Sequence, residues 1–216
     1  MKQYVVIGLG NFGFNVATAL ARMGHEVLAI DRNGRKVEDI KELVTQAVIA
    51  DATDKDALAA LIPETVDAVI VAMGDNLEAS ILITLALKEL KVKQIIVKAL
   101  SPEHARALEL IGATEVVQPE RDVALALADR LSTSNILNII AFSPEYTVAD
   151  VATPETFWGK TLAQLGLRTN YGILVIAVKD LLQNKTHIAP GPDFKIGPDT
   201  VLTVLGRYED ISKLTR

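Results

Sequence analysis

The stretch Tyr4-Val5-Val6-Ile7-Gly8-Leu9-Gly10-Asn11-Phe12-Gly13 decides the fold, together with Val27-Leu28-Ala29-Ile30-Asp31 downstream of it. Four apolar residues with β propensity run straight into a glycine loop, and a second apolar run ends on a carboxylate. This is the order of a nucleotide-binding βαβ unit. The first glycine allows the tight turn out of the strand, the second lets backbone come close to a phosphate chain, and the third lets the helix pack on the sheet. Phosphates then sit at the helix N-terminus, where unpaired N–H groups and the positive dipole end favour negative charge. Asp31, 18 residues after Gly13, stands where a carboxylate would accept hydrogen bonds from a ribose diol. A glycine pattern alone is weak; strand, loop, helix and acidic strand end in this order are specific.

The rhythm continues beyond Asp31. Ala47–Ala50, Ala68–Ala72, Ile95–Val97 and Glu115–Val117 read as short strands buried on both faces, with helices over Arg35–Leu43, Asp54–Leu61, Leu77–Leu90 and Glu103–Ile111 between them. Asp54 and Ser101 are placed as N-caps, Pro102 in a first turn, and Gly112 as a helix stop. The spacing predicts an α/β domain, a doubly wound parallel sheet of the Rossmann type, over residues 1–120.

Next, Asp122–Ile140 reads as one long helix with apolar residues around most of its girth, including Leu125, Leu131, Leu137 and Ile140. Such a helix must be covered on several faces. Two accounts stay open: packing against its own sheet and the next domain, or a crossover and dimerisation helix, residues 121–141. From residue 142 to 216 the sequence turns to short strands broken by Tyr171-Gly172, Pro190-Gly191-Pro192 and Gly197-Pro198-Asp199. That predicts a small β-rich α+β domain.

Composition sets limits on function. Twenty-two basic and 27 acidic residues give a net charge of −5, and no basic run tracks a phosphate backbone, so nucleic acid is not an expected partner. No apolar run is long enough for a membrane span or a secretory signal, and cysteine is absent; a cytoplasmic protein is expected.

These residues, taken jointly with Met23-Gly24-His25-Glu26, Ile49-Ala50-Asp51-Ala52-Thr53, Asn76 through Leu90, Val97-Lys98-Ala99, Ile111-Gly112-Ala113 and Pro119-Glu120-Arg121-Asp122, resemble the RCK (regulator of potassium conductance) proteins of the Ktr/Trk type. Gly159-Lys160-Thr161-Leu162, Leu167-Arg168 and Tyr171-Gly172 extend the resemblance to the C-terminal half. The resemblance implies a cytosolic gating subunit of a bacterial Trk/Ktr potassium channel or transporter. It would be peripheral on the inner face of the cell membrane, a homodimer assembling into a larger, octameric ring. ATP favours the active form and ADP the inactive one in Ktr-type members, while Trk-type members respond also to NAD(H).

By the same resemblance Gly8, Gly10 and Gly13, with Asn11 and Phe12 between them, would hold the phosphates, and Asp31 the ribose. Asn33 and Lys36 would approach the adenosine half; Asp51, Ala52 and Thr53 would border adenine. Ala72, Met73 and Gly74 would follow the ribose-phosphate side, Lys98 would reach the nucleotide from its strand end, and Glu120 would help hold a divalent cation such as Mg²⁺. Arg32 would either stack on adenine or stay solvated. One position departs from the pattern: Ktr-type proteins carry Arg where this chain has Asn11, and a neutral amide lacks the charge-assisted phosphate contact. The ATP-versus-ADP switch is therefore in question, which leaves room for NAD(H) or AMP; Asp31 would repel the 2′-phosphate of NADP.

Two other readings remain from the sequence. An NAD-dependent oxidoreductase needs an acid–base residue, and His25, His104 and His187 have no spaced partners for a triad or metal site, so it is expected not to be an enzyme. Lys98 as a catalytic lysine is the weaker alternative to a phosphate contact. A cyclic di-AMP sensor would, by the resemblance, use the C-terminal region of Arg168, Thr169, Ile173 and Pro190; Leu174 replaces a polar residue used by some family members, and the better reading of Ile173–Val178 is a buried strand.

Overall fold

The computed structural model describes residues 1–73, 76–132, 135–143 and 145–214. The chain divides into two compact units, Met1–Glu120 and Arg121–Arg216.

The first unit alternates strand and helix: β1 (Gln3–Ile7), α1 (Asn11–Arg22), β2 (Glu26–Asp31), α2 (Gly34–Ile40), β3 (Gln46–Ile49), α3 (Lys55–Leu61), β4 (Ala68–Val71), α4 (Leu77–Glu89), β5 (Ile95–Lys98), α5 (Pro102–Ile111) and β6 (Glu115–Val117). All pairings are parallel, in the order β3-β2-β1-β4-β5-β6. The chain winds outward from β1 in one direction and from β4 in the other, so a crevice opens between their carboxyl ends. Side-chain alternation along β1 explains the two faces. Val5 and Ile7 enter one core with Val69, Ile83, Leu87 and Val97, while Val6 enters the other with Ala17, Val27 and Ile40.

Local chemistry fixes the helix starts. The Asp54 carboxylate accepts the N–H groups of Asp56 and Ala57, and the Ser101 hydroxyl accepts that of His104. Asn33 and Asn76 cap α2 and α4 in the same way. Gly112 leaves α5 at φ +129°, a conformation glycine adopts without steric cost.

After β6 comes α6 (Pro119–Ser132), followed by β7 (Ile136–Ala141), β8 (Thr147–Ala152), α7 (Leu162–Leu165), α8 (Leu167–Tyr171), β9 (Leu174–Asp180), β10 (Lys185–Ile188), β11 (Thr200–Gly206) and α9 (Tyr208–Lys213). The strands of the second unit form an antiparallel sheet, β10-β9-β11-β8-β7. Its core gathers Ile136, Val151, Leu167, Ile173, Val178, Ile196, Leu202 and Ile211.

One expectation is corrected here. Asp122–Ile140 is not a single helix: α6 stops at Ser132, and Ile136–Ala141 is an edge strand paired to β8. The apolar run Ile136-Leu137-Asn138-Ile139-Ile140 is compatible with either period, and pairing with β8 decides for the strand. Ile136 is buried while Leu137 is half exposed, the alternation of a strand with one face on a core. Val123, Leu125, Leu127 and Leu131 of α6 are exposed.

Candidate functional site

The carboxyl ends of β1, β2, β4 and β5 surround a cavity of about 490 Å³. The glycine loop forms its floor, and the three glycines have separable roles. Gly8 has φ +93°, and a Cβ there would lie 2.8 Å from the carbonyl oxygen of Ala72. At Gly13 a Cβ would meet the carbonyl oxygen of Gly8 at 1.9 Å, so this glycine serves the close packing of α1 under the loop and does not itself line the cavity. A Cβ on Gly10 would meet no protein atom within 4 Å. Gly10 has φ −75°, open to any residue, so neither strain nor packing within the chain demands glycine there. The room beside Gly10 is open and borders the cavity, as a cradle for a phosphate requires. Gly10 is also the N-cap of α1 without a side-chain cap, and no acidic residue occupies the first turn. The dipole end of α1 therefore faces the cavity at Asn11 and Phe12, both of which line it.

Asp31 ends β2 and is buried. Its Oδ2 accepts the backbone N–H of Leu9 at 2.7 Å and its Oδ1 that of Asn33 at 2.8 Å, while Lys36 Nζ lies 3.6 Å from Oδ2. Each carboxylate oxygen retains a further lone pair for a ligand hydroxyl. Lys36, Arg32, Asp51 and Ala52 line the same side of the cavity. Hydrogen bonds from the Thr53 hydroxyl, at 2.6 Å, and the Thr53 N–H, at 3.0 Å, hold the Asp51 carboxyl below its usual range, and Arg32 adds to this. Thr53 itself lines a smaller hollow of about 190 Å³ shared with Arg32, Asp51, Met73 and Asn76.

The Asn33 side-chain oxygen caps α2, accepting the Arg35 N–H at 3.0 Å, and Asn33 does not line the cavity. Ala72 and Met73 line the cavity between β1 and β5; Gly74, expected with them, lies outside the described residues.

Lys98 ends β5 with its side chain only 9% exposed, and its ammonium group pairs with the carboxylate of Glu120, the second residue of α6. Both line the cavity. This bond lowers the Glu120 carboxyl below its ordinary range. Among the described residues, no group of three or more His, Cys, Asp or Glu side chains gathers to hold a metal. A cation at Glu120 would have to share that carboxylate with Lys98.

The sequence reading missed Ile7, Ile30, Ala50, Asn76 and Ile83 as lining residues. Asn76 had a usable signal, a polar residue opening a long apolar helix directly after the β4 turn; Ile83 looks like any core residue. None of the three histidines reaches the cavity. His25 meets the Tyr4 ring edge-on at 5.4 Å, His187 lies beside Phe194, and His104 is buried between α4 and α5.

In the second unit Arg168 and Thr169 sit on α8, Ile173 is wholly buried in the core, and Leu174 is half exposed at the start of β9. The Ile173 side chain thus belongs to packing.

Comparison with known proteins agrees with this architecture. Residues 4–119 match the TrkA-N domain and residues 147–216 the TrkA-C domain. The chain is 39% identical to Ktr system potassium uptake protein A of Bacillus subtilis, covering 98% of this chain and 95% of that one. It is 38% identical to Ktr system potassium uptake protein C of the same organism, over 100% and 96%. Among solved structures, the GsuK channel bound to NAD superposes with a TM-score of 0.67 at 20% identity, over 99% of this chain and 38% of that one. The AMP-bound Kef CTD of Shewanella denitrificans gives 0.52 at 21% identity, over 61% and 80%. By sequence, and by a parallel sheet joined to an antiparallel one, the chain belongs to the TrkA-N/TrkA-C family of Ktr potassium-uptake proteins.

Proposed function

We propose that this protein is the nucleotide-sensing regulatory subunit of a potassium-uptake system, gating an integral-membrane channel or transporter subunit from the cytosolic side of the membrane. The observation that carries the reading is Gly10. Its position faces the cavity, its backbone tolerates any residue, and nothing in the chain fills the room a side chain would take.

The ligand is an adenine nucleotide. Asp31 takes the ribose hydroxyls, with Lys36 near its carboxylate; Arg32, Asp51 and Ala52 border the base; the N–H groups at the start of α1 take the phosphates. Neighbouring folds solved with NAD, ADP or AMP support that class. A divalent cation would engage Glu120 only by displacing or sharing Lys98. The site is read as regulatory because, among the described residues, no histidine and no acid–base pair beyond carboxylates already tied to Thr53, Leu9, Asn33 or Lys98 stands in it.

Self-association into a dimer and then a ring is supported by the exposed leucines of α6. The cyclic di-AMP alternative finds no observation that favours it, since Ile173 is a core residue.

The test is a calorimetric screen of ATP, ADP, AMP, NAD⁺ and NADH against the purified chain and its Gly10→Val variant. Binding of at least one nucleotide to the first and of none to the second is the expected result. Equal binding to both would overturn the assignment, as would steady hydride turnover in the presence of NADH.

A further inference from the structure

His104 stands in the first turn of α5, buried, and its ring joins two elements that border the cavity. On one side Nδ1 accepts the N–H of Leu100, in the turn between β5 and α5, at 3.2 Å. On the other, Nε2 reaches Ser80 Oγ at 2.8 Å, and that hydroxyl donates to the Leu77 carbonyl at 2.9 Å in the first turn of α4. α4 lines the cavity through Ile83 and its N-cap Asn76, and β5 lines it through Lys98, two residues before Leu100. The ring stays outside the cavity and holds parts of its wall from behind.

Only one protonation state satisfies both contacts. The Leu100 N–H needs a lone pair on Nδ1, so the proton sits on Nε2 and points at Ser80. A second proton, on Nδ1, sets two donors against each other and leaves a cation in a buried site. The Ser80 contact survives, because Nε2 donates in both states; the Leu100 contact does not. The break therefore falls on the β5–α5 turn, where Leu100 is half exposed.

Among the described residues, the charged groups of the surrounding elements are engaged elsewhere or exposed. On α4, Glu78 borders the smaller hollow with Arg32, Lys88 is exposed with its stem over Gly112, and Glu89 pairs with Lys55 of α3. On α5, the Glu103 carboxylate engages Ser101 and its own N–H, and Arg106 and Glu109 are exposed; at the end of β5, Lys98 pairs with Glu120. Burial alone acts on the imidazole, and it opposes the charge.

We propose that His104 is a proton-released clamp on the nucleotide cavity: neutral, it ties the turn after β5 to α4, and protonated in mildly acidic solution it lets that turn go and weakens nucleotide binding. This rests on the nucleotide-site reading above. The coupling is reciprocal, so a bound nucleotide also resists proton uptake.

The experiment compares the full chain with His104→Asn, whose side-chain oxygen accepts the Leu100 N–H but takes up no proton. Hydrogen exchange read by mass spectrometry follows the peptide spanning Leu100 at neutral and mildly acidic pH, corrected for the intrinsic pH dependence of exchange. In the wild type its protection should fall by about tenfold on acidification while peptides of β1 hold, and in the variant it should hold as well. Calorimetric titration with NAD⁺ and with ATP should show affinity falling about tenfold more in the wild type than in the variant, a comparison that cancels titration of the ligands' own phosphates. Unchanged protection of the turn in the wild type overturns the proposal whatever the variant does, and so does an equal loss of affinity in the two proteins. Absence of binding by either nucleotide at neutral pH, with the exchange response intact, would refute the nucleotide site and with it the linkage, while the clamp itself stood. Thermal melting at each pH establishes that both proteins are folded.

Discussion

Asp31 Oδ2 and the backbone N–H of Leu9 are joined at 2.7 Å, so the carboxylate that would hold a ribose also pins the glycine loop to the end of β2. Binding and stability are therefore coupled at one residue. Asp31→Ala should weaken nucleotide binding by about 1.5–3 kcal/mol. It should also cost about 1–3 kcal/mol in denaturant unfolding, because the buried N–H of Leu9 loses its partner. A variant with weakened binding and unchanged unfolding would show that the Leu9 contact contributes nothing to the fold.

The loop glycines should separate cleanly in mutation. Gly10→Val should abolish nucleotide binding and leave the melting temperature close to wild type, since the side chain enters only ligand space. Gly13→Ala should destabilise by about 3 kcal/mol or more, because its Cβ would lie 1.9 Å from a backbone oxygen that cannot retreat without breaking the turn. Thermal melts alongside titrations decide the pair.

His104 gives a pH dependence. Its Nδ1 accepts the Leu100 N–H at 3.2 Å, so Nε2 carries the proton and donates to Ser80 Oγ at 2.8 Å, which in turn donates to the Leu77 carbonyl. Burial lowers its pKa below 6.5. The unfolded chain then takes up a proton that the folded chain resists, so the stabilisation is complete above pH 6.5 and is lost as pH falls from there through the folded value. Denaturant melts between neutral and mildly acidic pH should show the decline, and His104→Asn should remove that part of the slope. An identical slope in the variant would assign the effect elsewhere.

Asn11 stands where Ktr-type proteins are expected to carry an arginine that reads a terminal phosphate across subunits. The wild type should bind ATP and ADP within about tenfold of each other, and Asn11→Arg should raise ATP affinity selectively in the assembled ring. Strong ATP preference in the wild type would mean that another residue reads that phosphate.

The leucines of α6 predict assembly. Leu125 and Leu131 are 54% and 75% exposed in the isolated chain, and such side chains are stabilised by about 1.5–3 kcal/mol each when buried. Light scattering should give a dimer or larger, and Leu125→Glu with Leu131→Glu should shift the population toward monomer without lowering the fold's intrinsic stability. A wild-type monomer at micromolar concentration would contradict the assembly.

The sequence by itself determined the first unit almost completely. Its strands are short apolar runs, its helix starts carry their own caps at Asp54 and Ser101, and its glycines stand at spacings that local backbone geometry imposes. These are interactions among near neighbours in the chain, and they can be read without knowing what packs on them. Tertiary structure alone decided the rest. The run after Ser132 could pair or coil equally well, and β8 made it a strand. Asn33 has the chemistry to touch a nucleotide, and the fold commits its side-chain oxygen to the start of α2. Lys98 and Glu120 stand 22 positions apart in the chain, and only the parallel β5–β6 pairing brings the end of one strand to the start of α6, where two opposite charges meet inside one cavity. Pairing between distant residues is set by the packing of whole elements, and no local pattern encodes it.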